Sequence, residues 1–350
     1  MDIVWAGLVR NFNHFCDVLL SAGSQFSLTS LACAFVLAVA FLALQRRRKG
    51  RRIRWRAMMR ALFPRRILRS PSTVADLGYF LFNTFVYAGI FGMAAVSYQF
   101  LTNGVLNGMV YAFGQPSPSS LPLLASRGIV TLLLFLAYEF GYWLDHYLKH
   151  RIPVLWELHK VHHTAEVLTP LTSFRMHPFD TFIFGNILAV CAALTNGVAA
   201  FMFGDTAYQY ALSGNNIILV VFIHVYVHLQ HTHLWISFRG LLGRVFISPA
   251  HHQVHHSTNP VHFNKNLGSC LAVWDWLFGT LHVPGKSREQ LTFGVAPGYA
   301  DAHTITGEFL SPIGRAGAAL VASIPGRARP LAALDAEQSQ DVRTDPINAA

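Results

Sequence analysis

The sequence predicts an all-α protein, a multi-pass membrane helical bundle that carries a cytoplasmic, histidine-rich cap. Three observations predict it. Of 350 residues 53% are apolar and only 13% charged, and the mean hydropathy of +0.37 is high for a soluble domain. Several apolar runs approach the length of a bilayer span. Of the 18 histidines, 14 fall between His146 and His256, a density that needs a chemical reason.

Taken in order, the first element is the run from Ser27 to Leu44, 18 mostly apolar residues against the roughly 20 that a spanning helix needs. The basic block RRRKGRR follows it, and 12 of the 27 Lys and Arg lie between Arg46 and Arg69. No small-residue cleavage site precedes that block, so the run reads as a membrane helix and not as a cleaved leader. Basic residues beside an apolar span are a topology signal and a lipid-headgroup contact. With no nucleic-acid-binding motif around them, they do not imply a nucleic-acid partner. Cys16, Cys33, Cys191 and Cys270 have no CxxC spacing and give neither a disulfide framework nor a zinc ribbon.

Four more apolar runs are expected to be helices: Asp76 to Leu101, Gly128 to Leu148, Thr181 to Gly204 and Tyr208 to His231. The short Gly204-Asp205-Thr206 junction reads as a tight helical hairpin between the last two. The positive-inside rule places residues 45–71 in the cytoplasm, and loop 102–127, with Arg127 its single basic residue, outside. Alternation then brings His146, His150, His228 and His231 to the cytoplasmic face, where residues 149–180 and 232–283 form the cap. The organisation is residues 1–75, an N-terminal membrane helix and basic segment; residues 76–285, the histidine-bearing membrane domain; and residues 286–350, a C-terminal extension that is partly disordered, with its tail at 330–350.

The histidines fall in clusters. HYLKH places His146 and His150 one turn apart on one helix face. HKVHH (His159, His162, His163) and HQVHH (His252, His255, His256) each combine i, i+3 and i, i+4 pairs. Adjacent rings such as His162 and His163 point about 100° apart on a helix, so each pair can serve two metals. A lone buried histidine is more often a satisfied interior residue than a ligand, but eight neutral imidazoles without partners would cost roughly 1–3 kcal/mol each. Eight donors exceed a tetrahedral zinc site, which makes a di-metal site the economical reading. His228 and His231, at the end of the last apolar run, can add further ligands, and His224 and His233 stand in the same stretch. Glu139, Asp145, Asp180 and Asp275 are possible outer partners for the rings. No HExxH occurs, which removes the commonest arrangement of a zinc hydrolase.

The ordered HxxxH, HxxHH and HxxHH motifs resemble the fatty acid hydroxylase and sterol desaturase superfamily. HRIPVLWELHKVHH (His150 to His163), TSFRMHPFD (Thr172 to Asp180), SPAHHQVHH (Ser248 to His256) and NLGSCLAVWDWLFGT (Asn266 to Thr280) are similar to its signature blocks, over about residues 128–283. The resemblance implies a cytosolic pair of iron ions, dioxygen as co-substrate, a lipid substrate and two electrons from an external donor of ferredoxin or cytochrome type. The reaction would be hydroxylation or desaturation of a sterol, fatty acyl or ether lipid. The expected ligands are His146, His150, His159, His162, His163, His228, His231, His252, His255 and His256. A membrane metal transporter and a zinc-dependent membrane hydrolase are the rival classes. The transporter predicts ligands at mid-membrane, whereas these motifs cluster at helix ends. Tyr147, where relatives commonly carry Arg, and Asp180, where Glu is frequent, depart from the pattern.

Overall fold

A computed structural model describes residues 2–87, 96–116, 119–204, 208–295, 303–304 and 306–324. Among these the chain is mostly helical, with one two-stranded hairpin. It sorts into two compact units whose segments alternate along the sequence. The first is made from Met1–Met58, Leu81–Asp145 and Thr181–His228, the second from Met59–Phe80, His146–Asp180 and Leu229–Ala350.

Three helices are long and apolar enough to cross a membrane: Leu28–Arg48, Leu123–Arg151 and Pro178–Phe203. Only 22%, 33% and 17% of their respective apolar windows is buried inside the protein. Most of that apolar surface therefore faces outward, which water penalises and lipid does not. The chain reads as an integral membrane protein. Within the first unit, Gly197 lets the Pro178–Phe203 helix approach the Tyr98–Phe113 helix. A Cβ at that position would lie 2.6 Å from Val105 Cβ and 2.8 Å from the Thr102 carbonyl oxygen, the small-residue contact that membrane helices use.

Three sequence expectations change. The stretch expected as loop 102–127 opens with helix Tyr98–Phe113. Ser97 caps it by accepting from Phe100 N at 3.2 Å, and Gly114, at φ 80°, ends it. The expected Asp76 to Leu101 span is divided: its described parts are the end of helix Pro71–Phe82, a π turn at Asn83–Tyr87 and the start of the Tyr98–Phe113 helix, while residues 88–95 lie outside the described set. The expected Tyr208 to His231 helix instead begins as a hairpin pairing Ala211 with Asn216 and Leu212 with Asn215. Ser213 (φ 49°) and Gly214 (φ 80°) form its turn, which leaves only Ile217–Gln230 as a shorter apolar helix. Asp205 and Thr206 of the expected hairpin junction lie outside the described residues, as does the expected tail at 330–350.

The second unit carries most of the histidines. Pro153, at the first position of helix Pro153–His163, starts a new helix after Arg151 because its missing N–H is not needed there. Helix Pro249–His255 is capped by Ser248 in a reciprocal box: Ser248 Oγ accepts from His251 N at 3.3 Å, and Ser248 N donates to His251 Nδ1 at 3.2 Å. Within the C-terminal extension, helix Ser311–Ala322 packs on Pro153–His163, and Arg315 Nε donates to Glu157 Oε2 at 2.8 Å.

Candidate metal centre

Helices Pro153–His163 and Pro249–His255 with the adjoining His256, the end of the Leu123–Arg151 helix, and His231 just after helix His228–Gln230 bring nine imidazoles together within the second unit. His146, His150, His159, His163 and His255 form one group, and His162, His231, His252 and His256 a second; within each, the ligand atoms lie within 4.8 Å of one another. Helix geometry divides the doublets. His163 and His255 turn to the first group while their neighbours His162 and His256 turn to the second. The groups adjoin, with the rings of His163 and His256 4.7 Å apart.

The ring orientations carry chemical information. His146 Nδ1 meets the Leu267 carbonyl oxygen at 2.8 Å, His255 Nδ1 that of Lys265 at 2.9 Å, and His162 Nδ1 that of Arg175 at 3.2 Å. A carbonyl only accepts, so each Nδ1 carries the proton and each neutral ring turns the lone pair of Nε2 inward. His159 Nδ1 donates to Asp180 Oδ2 at 3.2 Å, and Lys149 holds the other carboxylate oxygen at 2.6 Å. His231 Nδ1 shares a hydrogen bond with Ser173 Oγ at 3.1 Å.

Inside the first group, Nε2 of His150, His159, His163 and His255 is buried with no hydrogen-bond partner among the described residues. Inside the second, Nε2 of His231 stands 2.8 Å from that of His252 and 3.3 Å from that of His162, and Nε2 of His256 lies 3.2 Å from that of His252. With metal–nitrogen bonds of roughly 2.0–2.1 Å, neighbouring imidazole donors stand about 2.9 Å apart at right angles and about 3.3 Å apart in a tetrahedron. The spacing, the inward lone pairs and the orphaned buried nitrogens all fit metal ions.

Electrostatics favour the same state. Burial pushes His162, His163, His252 and His256 well below the ordinary imidazole range, and the neighbouring rings push further. Burial also lowers His255, to about 3, against the pull of its hydrogen bond to Lys265. Burial lowers His159 as well, with Asp180 opposing it. Neutral imidazole is the form that ligates a metal.

Of the ten expected ligands, His228 is not drawn into either group. It belongs to the first unit, where its Nε2 meets Ser30 Oγ at 3.1 Å and its ring packs edge-on against Phe26. His224 pairs with Val220 O of its own helix and with Thr29, and His233 with Ala61 O. His177 and His251 shape backbone. The first accepts from Phe179 N and donates to Phe309 O, and the second closes the Ser248 cap and meets Gly243 O. Among the expected outer partners, Asp180 touches a ring directly, whereas Asp275 acts through a loop by accepting from Leu267 N and Gly268 N, both at 2.8 Å, and from Thr280 Oγ1 at 2.6 Å. Glu139 and Asp145 belong to the first unit. Sequence reading missed Lys149, Ser173 and the three orienting carbonyls. A backbone carbonyl has no residue signature, and Ser173 lies 58 positions from His231.

Arg175 anchors one of those carbonyls. Its fully buried guanidinium donates to Asp76 Oδ1 at 2.7 Å, Glu308 Oε1 at 2.9 Å and Ser72 O at 2.6 Å. Segments before and after the main histidine stretch thus grip the residue whose own carbonyl orients His162.

A mostly helical chain with three candidate spans and nine converging, inward-facing imidazoles defines a histidine-rich membrane protein with the donors of a metal centre. Residues 131–280 match the fatty acid hydroxylase family model, nearly the stretch, about residues 128–283, that resembles this superfamily in sequence. Alkylglycerol monooxygenase from Danio rerio is 30% identical over 151 residues, covering 42% of this chain and 29% of that protein. An ornithine lipid hydroxylase from Rhizobium tropici is 29% identical, over 46% of this chain and 45% of that protein. A Delta(7)-sterol 5(6)-desaturase from Aspergillus fumigatus is 28% identical, over 47% and 52% respectively. The chain therefore spans from under a third to about half the length of these relatives. No solved structure matches it.

Proposed function

We propose that the two histidine groups hold two iron ions, and that the protein uses dioxygen and two external electrons to hydroxylate or desaturate a membrane lipid. The observation that carries this reading is the set of buried Nε2 atoms turned toward one another, five of them on rings whose Nδ1 is held from outside. Such a donor set leaves little to hydrogen bonding and much to metal. Bound iron supplies the redox chemistry that cleavage of dioxygen and attack on an unactivated C–H bond require. The residues hold and orient the donors. Asp180, Ser173 and the three carbonyls hold Nδ1 of His146, His159, His162, His231 and His255, so that the ligand nitrogen of these five rings is oriented before metal arrives.

A relative named as a monooxygenase, one named as a lipid hydroxylase and one named as a sterol desaturase all point to lipid oxidation. The outward apolar surface of the candidate spanning helices supports a place in the bilayer, where such a lipid resides. The active site is proposed to face the cytoplasm, from the basic residues that follow the first span. Hydroxylation consumes O2, two electrons and two protons to yield the alcohol and one water, while desaturation yields the alkene and two waters. An external ferredoxin or cytochrome supplies the electrons.

The test is incubation of membranes containing the protein with labelled lipid extract, with and without oxygen, followed by mass spectrometry. The expected product depends on oxygen and disappears in His163→Ala and His255→Ala. Unchanged product in both variants removes the proposed site, and an oxygen-independent product from hydrolysis would identify the zinc hydrolase class instead.

A further inference from the structure

Outside both groups, His262, His282 and Glu289 bring one ligand atom each to within 4.8 Å of one another. We propose that these three residues form a separate, peripheral site for a divalent transition metal of the zinc class. They supply two imidazole nitrogens and one carboxylate oxygen and leave one coordination position to water. That donor set is the one zinc accepts.

His262 ends a 3-10 turn, Pro260–His262, that Asn259 caps by accepting from Val261 N at 3.2 Å. The His262 residue is only 4% exposed, and its Nδ1 is buried with no hydrogen-bond partner among the described residues. Its Nε2 lies 3.5 Å from Glu289 Oε2, and its ring centroid is 5.1 Å from that of His282. A simple His–Glu ion pair is the competing description. At 3.5 Å the contact is long for a charge-assisted hydrogen bond, and His282 is left unexplained by it. Burial and His282 hold His262 below the ordinary imidazole range against the pull of Glu289. Two neutral imidazoles facing one carboxylate are suited to a shared cation. Lys265, whose charge also bears on His282, donates to Gly279 O at 3.3 Å.

The placement gives such a metal a consequence. His262 and His282 lie on the two segments that Asn266 ties together, with His282 N donating to Asn266 Oδ1 at 2.8 Å and Asn266 N to Thr280 O at 2.9 Å. Glu289 joins from a third segment, pinned nearby where Thr258 N donates to Thr292 O at 3.0 Å. Asn266 is flanked by Lys265 and Leu267, whose carbonyls orient His255 and His146. A metal at the peripheral site cross-links the loops that brace the first histidine group. It is a structural clamp, distinct from the redox centre.

The experiment uses the full-length, metal-loaded protein in detergent. Bound metal is counted first; Zn2+ alone is then added, and uptake is measured by calorimetry and by metal analysis after dialysis. Wild type is expected to take up one equivalent beyond the metal it already holds. His262→Ala and Glu289→Gln are expected to lose that equivalent while keeping the metal counted at the start. Co2+ in place of Zn2+ should give a visible absorption band in wild type that both variants lack. Glu289 is partly exposed, so Glu289→Gln keeps the test open if His262→Ala misfolds. No additional uptake in wild type, or full uptake in both variants, overturns the proposal. Loss of the metal counted at the start, in His163→Ala or His255→Ala, speaks only to the histidine groups.

Discussion

Replacing Asp275 by Asn probes how the first histidine group is held. The carboxylate is fully buried and accepts three hydrogen bonds, from Leu267 N, Gly268 N and Thr280 Oγ1. An amide of the same shape keeps one acceptor oxygen and presents an NH2 where a second acceptor stood. In either orientation at least one backbone N–H then faces a donor. Hydrogen bonds to a charged group contribute about 1.5–3 kcal/mol, and a buried unsatisfied group costs about 1–3 kcal/mol, so Asp275→Asn is expected to destabilise the protein by about 3 kcal/mol. The damage should be directional. The Leu267 carbonyl orients His146 and the neighbouring Lys265 carbonyl orients His255, so metal bound by the first group should weaken before that of the second. Thr280→Val, which removes one of the three bonds and leaves the carboxylate, serves as the mild control at about 1 kcal/mol. The assay is thermal unfolding in detergent together with metal per chain after dialysis against a graded chelator. Full metal and a midpoint equal to that of Thr280→Val would refute the claim that Asp275 holds the loop.

Asp180→Asn removes the charge that holds His159 Nδ1 and pairs with Lys149; metal affinity should fall about 10–100-fold in chelator competition, with no change if the contact is incidental. Glu308→Gln breaks a buried pair with Arg175 and should cost about 3–5 kcal/mol. Urea unfolding in detergent checks that figure, and a wild-type midpoint contradicts it. The metal-free protein should become less stable as pH falls. His255 titrates near 3 when folded against about 6.5 unfolded, so between those values the unfolded chain binds the extra proton. The stabilisation is complete above about pH 6.5 and is lost as pH drops toward 3, with a slope of up to about 1.4 kcal/mol per pH unit for this ring. His162, His163, His252 and His256 add in the same direction. Chelated protein whose unfolding midpoint stays flat from pH 7 to pH 4 contradicts the buried neutral state.

Legibility differed between the two halves of the problem. The spacing of HKVHH and HQVHH was enough to divide adjacent histidines between two directions, because a helix turns by a fixed angle per residue. That His231 stands with the second group was also legible, from its place at the end of the last apolar run. His228, one turn earlier by spacing, was not separable from it in the sequence. Its ring is engaged instead where its helix meets Ser30 and Phe26, a contact between residues about 200 positions apart. The apolar run from Tyr208 looked long enough to span because hydropathy counts residues without regard to φ. The turn at Ser213-Gly214 shortened it.

By itself the sequence determined that apolar helices dominate, that the candidate metal ligands are histidines, and that they come in helical registers suited to two ions. Each of these is a local property, set by residue type and by the repeat of a single helix. Tertiary structure decided which rings meet, which nitrogen each ring turns inward, and which distant atoms hold it there. Those choices rest on backbone carbonyls and on long-range partners such as Ser173, Asp76 and Glu308. An orienting hydrogen bond depends on position in space, and no spacing along the chain encodes it.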